Sequence, residues 1–482
     1  MLSLLKNWPF HLSLVEIVGF LLFLLCVFVP NSQAQTARSQ INVSIVGDSR
    51  IRIQIRLSTP ANSWSFLNAY GGVVGLAERI EKFQAHHLNQ PVYIKRLSAG
   101  EYRSDEKADE VVYEAYIPPS DIGQIAHVSW LTSNYGILML ADLLPESISE
   151  VSVVFVLPAE WNIGASVDCD GTFRCLVDEP GKQVFLIGRQ LRATSKQIHG
   201  IDLGLVIYGK WPAEDQKVLK SATKIVEWYL ALTNFRLRSR PTILLAPLPR
   251  LDSGVKWKAE TRGATIVLLV NSTPSFNNFL GQVAIIFTHE ILHLWVPNSL
   301  QLTGDYDWFF EGFTSYVALQ TALNLELIGF REYLDTLARV YDSYRSYPDD
   351  QTLIEASERR WTSSTPVVYD KGMLVAFLYD LVIRSDTEGR SSLADSYRSL
   401  FTQHANEPAN ANDVIIKLLT SSPATEGFSA TYIESRNRIQ LEKILPSFGF
   451  EMNTNSSNSH LTVRSGLAEK QKALMRSLGY RN

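Results

Sequence analysis

Phe287-Thr288-His289-Glu290-Ile291-Leu292-His293-Leu294-Trp295 lies within an apolar run, Phe279 to Trp295, that contains no proline. A run of this length without a breaker predicts a buried α-helix. Residues four apart on a helix stand one turn above each other on the same face. His289 and His293 can therefore turn their imidazoles toward one ion, with Glu290 projecting beside them. Two such ligands and a carboxylate able to take a proton from water are what a catalytic zinc site requires.

The pentad is short, and paired histidines on an apolar helix also occur as packed core residues. The decisive company comes downstream. Trp308-Phe309-Phe310-Glu311-Gly312-Phe313-Thr314-Ser315-Tyr316 predicts a second apolar helix carrying one acidic residue. A buried carboxylate is unfavourable unless it is paired or bound to metal. Catalytic zinc takes three protein ligands and keeps a fourth position for water. Glu311 is accordingly the expected third ligand, for one Zn2+ per chain.

These two segments, followed by Tyr369-Asp370-Lys371-Gly372, resemble the glycyl aminopeptidase family of gluzincin zinc metallopeptidases. That family is in turn similar to the larger alanyl aminopeptidase and leukotriene hydrolase family. The motifs stand in the family's order, and the resemblance spans about residues 40 to 450. It implies an α+β multidomain protein, with an N-terminal antiparallel β-sandwich followed by a thermolysin-like, mainly helical catalytic domain. It implies hydrolysis of a peptide or protein substrate with Glu290 as the general base. Tyr369 would stabilise the oxyanion, and Lys371 and Gly372 would support it.

The resemblance also implies aminopeptidase action on small N-terminal residues such as Gly or Ala, which needs an acidic residue to receive the ammonium. Family members carry a Gly-Leu-Glu-His-type segment before the strand lining the cleft. This chain has Lys258-Ala259-Glu260-Thr261-Arg262-Gly263-Ala264-Thr265 there. Glu260 and Gly263 are the substrate-binding candidates it offers, although the preceding glycines are missing. Were Glu260 only a solvated loop residue, an endopeptidase on the same scaffold would follow. A non-catalytic exported binding protein is the alternative of a different class, and Glu290 argues against it. A second departure is Val296-Pro297-Asn298-Ser299, with no basic residue before Glu311, which points to an altered specificity.

The chain has 482 residues, 46% hydrophobic and 20% charged, with a net charge of −4. These are values of an ordinary globular protein, and nothing in them calls for a nucleic-acid partner. At the N-terminus Lys6 precedes an apolar run from Ile17 to Val29, then Pro30 and Ser32-Gln33-Ala34. That run is short of the ~20 residues a membrane span needs but suits a signal-peptide core. Residues 1–34 are therefore expected to be a signal peptide cleaved after Ala34. The mature chain would be exported, periplasmic or extracellular, and bound to a membrane only if the segment stays uncleaved. In an exported chain Cys169 and Cys175, flanking a turn-rich loop, are expected to form a disulfide.

Alternation with period two over 41–45, 50–55, 111–116 and 151–156 predicts the sandwich, placed at 35–212. The segment 61–82 shows no clear period, and His86, His87, His127 and His199 lack partners at ligand spacing. The catalytic domain is placed at 213–450. It opens with a helix over 215–232 and strands over 242–245 and 264–270, and helices follow the two metal-binding segments. Residues 451–482 are expected to be a polar, peripheral tail without the PDZ domain that many relatives carry.

Overall fold

The computed structural model describes residues 38–119, 124–211, 214–249, 254–271, 275–348, 350–454 and 458–481. The expected signal peptide lies outside the described residues. Among those described, no helix is long and apolar enough to cross a membrane.

The chain folds as a mixed α+β protein, a β-sheet domain followed by a helical one. The alternating segments build an eight-stranded sheet in the order 174–177, 151–156, 39–47, 50–65, 101–116, 80–87, 90–92, with 95–98 also paired to 101–116. Neighbours run antiparallel, except that Ser39–Gly47 pairs in parallel with Val151–Val156. The unassigned segment 61–82 holds the end of one strand, a tight hairpin (69–70 with 73–74), a 3-10 turn and the start of strand Ile80–His87. Each piece is too short to show a period.

A four-stranded sheet packs beneath the first, in the order 161–165, 184–189, 135–139, 130–131. Its central strands are buried on both faces. Leu138, Phe185 and Ile187 point into the core shared with the eight-stranded sheet, whereas Ile137, Met139, Val184 and Leu186 meet Val206, Leu244 and Val267 of a third sheet. Successive side chains leave a strand on opposite faces, so one strand serves two cores.

The third sheet carries the functional region. Its order is 192–198, 201–207, 242–247, 265–270, 257–262, with parallel centre strands and an antiparallel strand at each edge. Residues 192–207 thus belong to the third sheet, and the change of sheet falls near 190 rather than at the expected 212. The cause is the parallel ladder of Gly204–Ile207 to Thr242–Leu245. The other face of this sheet is covered by the helices Asp215–Thr233 and Phe276–His293.

Two polar-looking stretches are well packed. Phe330–Ser346 is a helix that buries Tyr333, Leu334, Leu337, Ala338, Tyr341 and Tyr344. Residues 451–482 are no peripheral tail either. They hold a hairpin, Phe450–Asn453 with His460–Val463, and the helix Glu469–Ser477, which buries Leu474 and Met475. Gln320 and Arg384 hold that helix's end by donating to the carbonyls of Leu478 (3.1 Å) and Ser477 (2.7 Å).

Candidate active site

The helix Phe276–His293 buries Phe279, Val283, Ala284, Phe287, Ile291 and Leu292 at helical spacing. It ends at His293, whose Nδ1 donates to the Val296 carbonyl at 2.8 Å. That bond fixes the tautomer and leaves Nε2 free to face inward. Glu311 stands in Trp308–Phe313, an i→i+5 (π) turn leading into the helix Thr314–Asn324. Such turns push one residue out of regular helical register and recur at functional sites.

His289 Nε2, His293 Nε2 and Glu311 Oε2 face one another at 2.9, 3.2 and 3.3 Å. All three residues are buried, and among the described residues they form the one cluster suited to a metal. Three electron-rich atoms aimed at a common point repel unless a cation or proton lies among them. Tetrahedral zinc with bonds of about 2.0–2.1 Å would separate its ligands by about 3.3–3.4 Å. The donor set fits zinc. Bound there, zinc would supply a Lewis acid able to ionise water near neutral pH.

Electrostatics within the triangle lead to a test. Burial lowers the pKa of His293, but Glu311 and Glu290 outweigh burial and draw it up to about 9. Although burial raises Glu311, Arg360 and His293 hold it well below the usual carboxylate range. Zinc entering at pH 7 must therefore expel a proton from His293. Uptake by the chelator-stripped chain is expected to release close to one proton in weak buffer and to tighten as pH rises toward about 9. Uptake with no proton release would refute this account of the site.

Glu290 lies beside the triangle, 5% exposed, with Oε2 accepting from Thr261 Oγ1 at 2.7 Å. Burial raises its pKa against the pull of the two histidines, as suits a base working near neutrality. Tyr369 occupies another π turn, Val367–Lys371. Burial and the charge of Glu311 push its phenol well above 10, so it stays protonated and able to donate.

Glu311 and Tyr369 come together because two glycines let their backbones touch. A Cβ on Gly312 would lie 2.6 Å from Gly372 Cα, and one on Gly372 would lie 2.9 Å from Gly312 Cα. Lys371 is fully buried, its Nζ donating to the carbonyls of Gln351 (3.1 Å) and Ser435 (3.5 Å).

Glu260 does not sit in a loop. It belongs to the edge strand Trp257–Arg262, which the sequence reading missed, and is 9% exposed. Its carboxylate accepts from Tyr70 Oη (2.8 Å) and Arg262 Nη2 (3.1 Å) and is in direct hydrogen-bond contact with His127 Nδ1. Burial raises its pKa, yet the His127 contact and the Arg262 charge prevail and keep it ionised. Arg262 stacks over the Tyr70 ring at 4.1 Å. Gly263, at φ +56°, turns the chain after this strand, and its carbonyl accepts from Asn298 Nδ2 at 3.0 Å.

Glu260, Glu290, Glu311 and Tyr369 all line one cleft of about 410 Å³. Sequence reasoning missed three residues of its wall, Tyr70, His127 and Arg360, whose partners are distant in the chain. Away from the cleft, Cys169 and Cys175 are joined by a disulfide. Trp295 and Trp308 are buried, their indoles donating to the Phe235 carbonyl and to Asn412, each at 2.8 Å.

By sequence, neither a protein-family model nor a curated protein matches the chain. By structure, it is similar to an aminopeptidase N family protein from Idiomarina loihiensis, with a TM-score of 0.75 and 17% identity over 90% of this chain and 82% of that one. It is also similar to an M1 zinc metallopeptidase from Deinococcus radiodurans, with a TM-score of 0.53 and 14% identity over 84% and 95% of the two chains. A mutant of the latter, bound to a Tyr-Ser-Ala substrate, aligns with a TM-score of 0.53 at 13% identity over the same shares. The fold is that of the M1 zinc metallopeptidases.

Proposed function

We propose that this chain is a zinc metallopeptidase of the gluzincin type that removes N-terminal residues from peptides. The observation that carries the reading is the buried triangle of His289, His293 and Glu311 with Glu290 at its side. Glu290 takes a proton from water attacking the peptide carbonyl and returns it to the leaving amine. Tyr369 donates to the oxygen of the tetrahedral intermediate.

The aminopeptidase part rests on Glu260, an ionised carboxylate in the same cleft. A peptide laid antiparallel along the edge strand Trp257–Arg262 has its N-terminus toward Gly263. There Lys182 and Asn298 crowd the strand end: a Cβ on Gly263 would meet Lys182 Cβ at 3.0 Å. A chain continuing past its own amine meets this wall. The Deinococcus radiodurans mutant bound to Tyr-Ser-Ala is consistent with a small peptide as substrate. The preference for Gly or Ala is taken from the glycyl aminopeptidase resemblance. Export is supported by the apolar segment before Ala34 and by the Cys169–Cys175 disulfide.

The test is hydrolysis of a Gly- or Ala-initiated peptide with its N-terminus free or acetylated. Cleavage of the free form alone is expected, and cleavage of both would make the enzyme an endopeptidase. Glu260→Gln is expected to lower kcat/KM for the free peptide about thirtyfold, equivalent to a charge-assisted contact of about 2 kcal/mol. An unchanged kcat/KM would remove Glu260 from substrate binding.

A further inference from the structure

Arg360 is a residue that no motif singled out. It opens the π turn Arg360–Ser364 and is largely buried, its side chain only 11% exposed. Among the described residues three π turns occur, and each presents one group to the same point: Glu311, Arg360 and Tyr369. Arg360 Nη2 donates to Glu311 Oε1 at 2.6 Å and to Tyr369 Oη at 2.8 Å, while Nη1 donates to Asp307 Oδ1 at 2.7 Å. One face of the guanidinium lies 4.2 Å from the Trp361 ring centroid. Its Nε is buried with no hydrogen-bond acceptor among the described residues. A buried donor left unpaired destabilises a protein, so its retention calls for a reason.

Building on the zinc peptidase reading, we infer that Arg360 is a positioning residue that sets the third metal ligand and the oxyanion donor with one nitrogen. Glu311 has Oε2 toward the imidazoles and Oε1 on Arg360, so it would offer a single oxygen to a metal bound there. The phenol oxygen of Tyr369 accepts from Arg360, so its own hydrogen, drawn toward the Glu311 carboxylate in this structure, is the one it would donate to a substrate carbonyl oxygen. Both hydrogens of Nη2 are thereby used, and the spacing between ligand oxygen and phenol oxygen is fixed by one planar group. Lysine carries the same charge but lacks the planar fork, and cannot span Glu311, Tyr369 and Asp307 at once.

The test uses the full chain with Arg360→Met and Arg360→Lys. Zinc affinity is read by chelator competition, kcat and KM are separated, and the absorption spectrum of the cobalt-loaded protein reports ligand geometry. Arg360→Met is expected to weaken zinc about 10- to 100-fold, alter the cobalt spectrum and lower kcat about a hundredfold, with KM within about threefold. Arg360→Lys should recover most of the zinc affinity but little of kcat. Combined with Tyr369→Phe, Arg360→Met should add little further loss in kcat, because both act on one group. Zinc affinity and kcat within twofold of the parent in Arg360→Met would overturn the inference. If that variant does not fold, unchanged kcat in Arg360→Lys would overturn it. A parent chain that binds no zinc would instead overturn the peptidase reading, and this inference with it.

Discussion

Replacing Glu290 with glutamine is expected to lower kcat by about a thousandfold while zinc affinity stays within about threefold. Glu290 is not one of the three atoms that converge on the metal position, and Thr261 Oγ1 can donate to an amide oxygen as it does to Glu290 Oε2 at 2.7 Å. The fold therefore keeps its bonds, and only the proton acceptor disappears. General-base catalysis contributes roughly 10²–10⁴-fold, and the other two carboxylates of the cleft are engaged elsewhere: Glu311 faces His289, His293 and Arg360, and Glu260 is paired with Arg262, Tyr70 and His127. Metal content by elemental analysis together with steady-state kinetics measures both halves. A kcat within tenfold of the parent would end the role of Glu290 as base, and loss of zinc would make it part of the metal site.

The metal helix was legible in the sequence because its chemistry is local: four residues of helix place His289 over His293. Glu311 was legible for an energetic reason, since a carboxylate in an apolar run needs a compensating charge. Arg360 was not legible. It lies in a polar stretch and meets Glu311 and Tyr369 across 49 and 9 residues, so only the tertiary fold brings them together. The edge strand Trp257–Arg262 escaped notice because only Trp257 and Ala259 of its core-facing side are apolar, and its other side carries charged residues, Glu260 and Arg262, that are buried by one another rather than exposed. Alternation revealed the sandwich strands with one wet face. It failed for 135–139 and 184–187, which are buried on both faces. In Phe330–Ser346 tyrosine rings, not aliphatic side chains, fill much of the core-facing side. In 469–477 charged residues hid a narrow apolar stripe, Leu474 and Met475.

Gly312→Ala is expected to have the largest effect on stability of any change near the site. The new methyl carbon would stand 2.6 Å from both Gly372 Cα and the Val368 carbonyl oxygen. Both obstacles are backbone, so no rotamer change relieves the clash, and the turns Trp308–Phe313 and Val367–Lys371 must part. Overpacking of this kind typically destabilises by about 1–3 kcal/mol, and rigid backbone on both sides places this case at the upper end. Separation of the turns also moves Glu311, one residue away, relative to the histidines on their own helix. Zinc affinity should therefore fall together with melting temperature. Gly281→Ala is the matched control. Gly281 is exposed within the helix Phe276–His293, and a Cβ there meets nothing within 4 Å, so alanine should stabilise by up to about 1 kcal/mol. Thermal unfolding and zinc titration of the two variants compare a glycine required by close approach with one that is not. Similar behaviour of both would mean that contact between the two turns does not hold the third ligand in place.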